Sequence, residues 1–138
     1  MTSSIRFPYS AYDDDPFSPM PRLSLYLHHG LRVVEVIGLL DTGATINVLP
    51  FSVGETLGFT WDEQPPLPPL TGNLGRVEAR GILVLASHPL LTSSTTIQLA
   101  FAWSRADDVP LVFGQTNFFM AFDVCFFRAE AVFEIRPK

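Results

Sequence analysis

The strongest constraint on this chain is a period-two hairpin that runs directly into a carboxylate. Leu23, Leu25 and Leu27 alternate with Ser24 and Tyr26, which predicts a strand with one buried face. His28-His29-Gly30 supplies a turn, and Leu31 to Leu40 returns as a second, more apolar strand. Asp41-Thr42-Gly43 closes that strand. An acid at the end of an apolar strand, with no basic neighbour in sequence, is costly unless its surroundings use it. Gly43 permits a sharp turn or a close backbone approach just behind it, and Thr42 offers a hydroxyl beneath the site. The tripeptide alone is a weak signal, since it also occurs as an ordinary turn in unrelated β domains. Its position at a strand end adds the information.

The rest of the chain reads as further short strands. Residues 1–20 carry Pro8, Pro16 and Pro19 and the acidic run Asp13-Asp14-Asp15. Proline restricts helix and interrupts ladders, so this segment is expected to be an extended arm preceding a domain over residues 21–138. The acidic run reads as solvated surface. Asn47-Val48-Leu49-Pro50 is apolar, and Ser52 to Leu57 predicts a helical turn that Gly58 stops. Gln64 to Leu70, with four prolines, reads as a stiff extended connector. Gly72-Asn73-Leu74-Gly75 is a turn, and strands are expected over 76–86, 95–103 and 109–113. A short helix capped by Thr116 or Asn117 follows, then a final hairpin of 124–127 and 131–135. The expected class is all-β with one or two short helices, without internal repeats.

Composition narrows the function. The chain has 138 residues, enough for one core, and its 47% apolar content excludes a disordered chain. A net charge of −5 with scattered Lys and Arg argues against a nucleic-acid partner. No apolar run approaches the ~20 residues of a membrane span, and no secretory leader is evident, so a cytoplasmic, reducing setting is expected. The single Cys125 excludes an internal disulfide framework and reads as a small buried hydrophobe. The three histidines read as plain polar residues, and no metal or other cofactor is expected. Trp61 and Trp103 read as core or interface residues.

With these motifs in place, the sequence resembles the retropepsins, the single-domain branch of the aspartic peptidases. The resemblance rests on Leu39-Leu40-Asp41-Thr42-Gly43-Ala44 leading into Val48-Leu49-Pro50, and on Val112-Phe113-Gly114 followed by a short helix. Gly72, Asn73, Leu74 and Gly75 fall where such proteins carry a flap hairpin. It covers about residues 21–127 and implies a closed β barrel or sandwich with a flap, equivalent to half of a pepsin-type bilobal fold. Retroviral relatives pair an Arg after the second glycine with an Asp four residues beyond the catalytic one. Here those positions hold Gln115 and Thr45, so both ends of the ion pair are absent together and neither is left as an unpaired charge. Phe113 is also bulkier than the usual aliphatic residue.

The resemblance implies a mechanism by counting. Aspartic peptidases need two facing carboxylates, and this chain has one Asp-Thr-Gly. A two-fold homodimer supplies the second as the partner's Asp41. On this reading Asp41 is catalytic, Thr42, Gly43, Ala44 and Gly114 support it, and the flap closes on a peptide or protein substrate. Val132-Phe133-Glu134-Ile135 alternates as an interface strand does, so it is expected to pair with its two-fold mate. A second class stays open: the same fold kept for dimerisation or peptide binding, without proteolysis. Intact Asp41, Thr42, Gly43 and Gly114 favour the enzyme.

Overall fold

A computed structural model describes residues 3–11, 19–72 and 75–137. The predicted hairpin is its organising unit. Strands β2 (Arg22–His29) and β3 (Arg32–Leu40) pair antiparallel from Arg22↔Leu39 to His29↔Arg32. Leu23, Leu25 and Leu27 are buried, as the alternation requires, and Gly30 takes the positive φ of 59° at the turn.

Five strands complete the main sheet: β4 (Asn47–Leu49), β5 (Pro66–Gly72), β6 (Gly75–Ser87), β7 (Ile97–Ser104) and β8 (Val112–Phe113) join β2 and β3 in the order β2-β3-β8-β4-β7-β6-β5. A further pairing of β2 with the end of β6, Tyr26↔Ser87 to His28↔Leu85, closes this sheet into a barrel. Closure removes most free edges and encloses one core of Leu, Val and Phe side chains around Trp103. Helix α1 (Phe51–Thr56) packs on Trp103 through Gly54, where a Cβ would fall 2.2 Å from the indole Nε1. That indole donates to the Phe51 carbonyl at 3.0 Å.

The proline-rich connector is more ordered than its composition suggests. Pro66–Gly72 forms β5, paired with β6 up to Gly72↔Gly75, with an irregularity between Leu67 and Leu70 that accommodates Pro68 and Pro69. An edge strand tolerates residues that cannot donate to a ladder. Conversely, the strand expected over 109–113 shrinks to Val112–Phe113, because Pro110 has no N–H to give. Asn73 and Leu74, between β5 and β6 in sequence, lie outside the described residues, as does the run Asp13-Asp14-Asp15.

The two ends of the chain come together. Strand β1 (Ile5–Pro8) lies within the segment expected to be an arm, and it is extended but not isolated. It pairs with β10 (Val132–Pro137), which pairs in turn with β9 (Phe122–Phe127), giving a three-stranded sheet of order β1-β10-β9. Helix α2 (Phe118–Ala121) leads from β8 into β9. Two expectations are corrected here. The C-terminal strand does not await a two-fold mate: both its edges are paired within the chain, and Phe133 and Ile135 are fully buried in this protomer's own core. Cys125 is exposed, not buried. Alternation explains it, since Val124 and Phe126 stand opposite the inward Ile135 and Phe133, leaving Cys125 on the outer face beside Glu134. Among the described residues no helix is long and apolar enough to cross a membrane.

Candidate active site

Asp41 is placed by strand pairing on one side and a turn on the other. β3 and β8 run parallel, with Leu39↔Val112 and Leu40↔Phe113 in register, and the Asp41 N–H extends this ladder to the Phe113 carbonyl at 3.0 Å. The chain then turns sharply. Gly43 N–H donates to Asp41 Oδ1 at 2.9 Å, and Ala44 N–H donates to the Asp41 carbonyl at 3.1 Å. One carboxylate oxygen is thereby fixed by its own loop. Asp41 is half-buried, and Thr42 and Gly43 are exposed.

Gly114 locks the loop from below. Its amide donates to Asn47 Oδ1 at 2.8 Å, and a Cβ on it would fall 2.6 Å from the Ile46 carbonyl and 2.8 Å from that of Ala44. Only glycine fits so close to two backbone oxygens. Gln115 and Thr116 N–H groups donate to the Ala44 and Thr45 carbonyls at 2.9 and 2.8 Å, so residues 114–116 tie down the whole 44–46 segment. Gln115 Nε2 also reaches the Thr42 carbonyl at 2.8 Å. Neutral hydrogen bonds therefore join the two loops.

The bulk of Phe113 is accommodated by its neighbours. Its ring is fully buried and stacked on Phe118 at 4.8 Å, and it occupies space that a Cβ on Gly38 would invade at 2.4 Å. Gly38 in β3 thus makes room for an aromatic ring in β8.

Sequence reading missed the positioning residue Asn47 and read Asn117 only as a helix cap, which it is. Asn47, fully buried, bridges β8 and β7: besides holding Gly114, its Nδ2 donates to the Ala100 carbonyl at 2.9 Å. Asn117, at φ 80°, accepts the Ala100 N–H on Oδ1 at 2.8 Å and donates to the Gln98 carbonyl at 3.1 Å. A polar Asn opening the apolar run Asn47-Val48-Leu49 was the available signal. Thr42 behaves differently from expectation within one chain: its carbonyl is engaged, and its hydroxyl has no partner among the described residues.

The carboxylate faces an open cleft of about 380 Å3. Leu39, Leu40, Asp41 and Thr42 form one wall, Met20 and Pro21 another, and Phe126 of β9 contributes with Tyr9 and Arg128, which directly follow β1 and β9. A second, almost wholly apolar hollow of about 290 Å3 lies between Ile46, the β5 residue Leu67 and the middle of β6 and β7. The flap candidate is the β5–β6 hairpin, in which Gly75 takes φ 88°. The histidines sit apart with local partners: His28 Nε2 against Ser87 Oγ at 2.7 Å, and His29 Nδ1 against the Leu57 carbonyl at 2.8 Å.

No family model matches the sequence, and no curated protein matches it. Solved structures do. A retropepsin-like aspartic protease from Rickettsia conorii aligns over 99% of this chain and 94% of its own, with a TM-score of 0.69 at 14% identity. EIAV protease, solved with the inhibitor HBY-793, aligns over 76% of this chain and 88% of its own, with a TM-score of 0.54 at 18% identity. The chain has a retropepsin-like fold, as its motifs predicted.

Proposed function

We propose that the chain is one protomer of a homodimeric aspartic endopeptidase in which Asp41 is the catalytic residue. The observation that carries this reading is a half-buried carboxylate at the end of β3, fixed by Gly43 N–H and open to a cleft, in a retropepsin-like fold. Among the described residues Asp41 is the one carboxylate lining its cleft, and the second carboxylate is supplied by the partner's Asp41. Two like charges a few ångströms apart do not both ionise, so the pair shares one proton; the aspartic-protease dyad is the standard example. The ionised member takes a proton from a bound water as that water attacks the scissile carbonyl. The protonated member donates to the carbonyl oxygen, giving a neutral gem-diol, which collapses with proton transfer to the leaving amine.

Each supporting residue has a defined part in this reading. Gly43 and Ala44 turn the chain behind the carboxylate, Gly114 holds that turn rigid, and Thr42 lines the cleft beside it. The β5–β6 hairpin, whose strands are joined in sequence through Gly72, Asn73, Leu74 and Gly75, serves as a lid over the peptide. The apolar hollow beside Leu67 suits a hydrophobic side chain of the substrate.

The test is peptide-library cleavage by wild type, Asp41→Asn and Asp41→Ala. Each substitution removes both members of the dyad, so turnover should fall to background while the circular dichroism spectrum stays unchanged. Pepstatin-like inhibitors should block the wild-type cut. Cleavage by Asp41→Asn at the wild-type rate would refute the assignment, and peptide binding without any cleavage by wild type would make this a binding module.

A further inference from the structure

Resting on that reading, we infer that the two protomers join through the outer edge of β9, with the two-fold axis passing at Cys125. Dimerisation then merges two three-stranded sheets into one six-stranded sheet of order β1-β10-β9-β9-β10-β1. Neither chain end is exchanged between protomers.

β10 is paired on both sides, whereas β9 pairs only with β10 among the described strands. In an antiparallel ladder, successive residues aim their N–H and C=O groups to opposite sides. Tyr9 N–H donates to the Ala131 carbonyl at 2.7 Å, and Pro8, with no N–H, stands opposite Val132. Both place the groups of Phe133 and Ile135 towards β1, and those of Val132, Glu134 and Arg136 towards β9. Their partners Phe127, Cys125 and Asp123 consequently face β10, and Val124 and Phe126 face outwards. Phe122 agrees with this parity, since its N–H turns away from β10 to the Phe118 carbonyl.

The occupant of this edge follows from the site. Phe126 lines the same cleft as Asp41, so a chain docked on β9 arrives beside the carboxylate that needs a second one. Phe126 and Phe127 leave 36% and 38% of their surface exposed there, on an edge with no charged side chain between Val124 and Phe127 to deter pairing. An antiparallel strand pair of identical chains is itself two-fold symmetric, which is the symmetry a carboxylate dyad requires.

Register follows from the same parity. Val124 opposite the partner's Phe126, and Phe126 opposite the partner's Val124, form two hydrogen-bonded pairs centred on Cys125. Moving the axis to Val124 sets Phe126 against a Phe122 whose N–H is already taken. Moving it to Phe126 sets Val124 against Arg128, which has left the strand for a 3-10 turn. With the axis at Cys125, the two exposed thiols form a non-hydrogen-bonded pair, with Cα atoms about 4.5 Å apart. That separation lies within the range a disulfide spans.

The experiment uses the full chain, whose only cysteine is Cys125. Mild oxidation with copper phenanthroline should convert most of the protein to a covalent dimer with an unchanged circular dichroism spectrum. Cys125→Ser should abolish the link and leave the non-covalent dimer intact in sedimentation. Moving the thiol, as Phe127→Cys in the Cys125→Ser background, should slow crosslinking at least tenfold. Val124→Pro removes an outward N–H without touching the β9–β10 ladder, and should weaken dimerisation at least tenfold. A chain that is monomeric at all concentrations, or a dimer that resists crosslinking at Cys125, would overturn the interface; the second result needs no variant to fold. Crosslinking without cleavage by wild type would overturn the peptidase reading alone, and cleavage by a dimer that fails the crosslink would overturn the interface alone.

Discussion

Asn47 is fully buried, yet its amide is used at both ends, accepting from Gly114 N–H and donating to the Ala100 carbonyl. Replacing it with the similarly sized Leu leaves the Gly114 N–H buried without an acceptor, at a cost of about 1–3 kcal/mol. Gly114→Ala acts on the same loop by overpacking. Its Cβ meets two backbone oxygens that cannot rotate aside, and such strain costs about 1–3 kcal/mol. Both variants are expected to lower the urea midpoint and, where still folded, to cut peptide turnover more than Asn117-remote surface changes do, because residues 44–46 set the path of the Asp41 turn. Unaltered midpoints and turnover in both would show that this loop does not depend on them. Asp41, Gly43 and Gly114 were legible in the sequence because each belongs to a short motif with its own steric logic. Asn47 was not, since a buried amide acquires its meaning from partners some fifty or more residues away.

At the scale of elements, the strands with clean alternation appeared where the pattern put them, and the prolines marked where pattern fails. β5 was legible only as a stiff segment, because its pairing to β6 depends on an edge position that composition does not encode. The β6–β7 connection shows a comparable long-range dependence at His88. Leu90 N–H donates to His88 Nδ1 at 3.0 Å, and the ring meets Phe7 of β1 edge-on at 5.5 Å. Burial pushes the His88 imidazole below its ordinary value, because a charged ring is poorly solvated there. The neutral form is the one the fold prefers. Its stabilising contribution is therefore fully present above the unfolded value, near pH 6.5, and is lost as pH falls through the lower folded value. His88→Asn keeps an acceptor for Leu90 N–H but cannot titrate. The melting temperature of wild type should fall more than that of His88→Asn between pH 7.5 and pH 5, and identical slopes would remove His88 from the acid response.

The whole molecule joins its first and last strands, and this is what sequence order concealed. Alternation in Val132-Phe133-Glu134-Ile135 correctly marked a strand with one apolar face, but the same pattern fits an interface and an interior. β1 decides between them by occupying the edge of β10 and laying Phe7 on Phe133 with ring centroids 5.3 Å apart. Truncation now has a different expected outcome from a simple loss of dimer. Deleting residues 131–138 removes Phe133 and Ile135, both fully buried, and leaves β1 and β9 without their shared neighbour. Large-to-small changes at such positions cost about 2–5 kcal/mol each, and a domain of this size has only about 5–15 kcal/mol in total. The truncated chain should lose cooperative thermal unfolding and accumulate as aggregate, because uncovered apolar strands pair indiscriminately. Val124→Pro should instead give a folded monomer, since it alters one outward N–H and a side chain that is only partly buried. Thermal scans beside sedimentation separate the two outcomes. A truncated chain that unfolds cooperatively as a monomer would show that β10 belongs to the interface and not to the protomer's core.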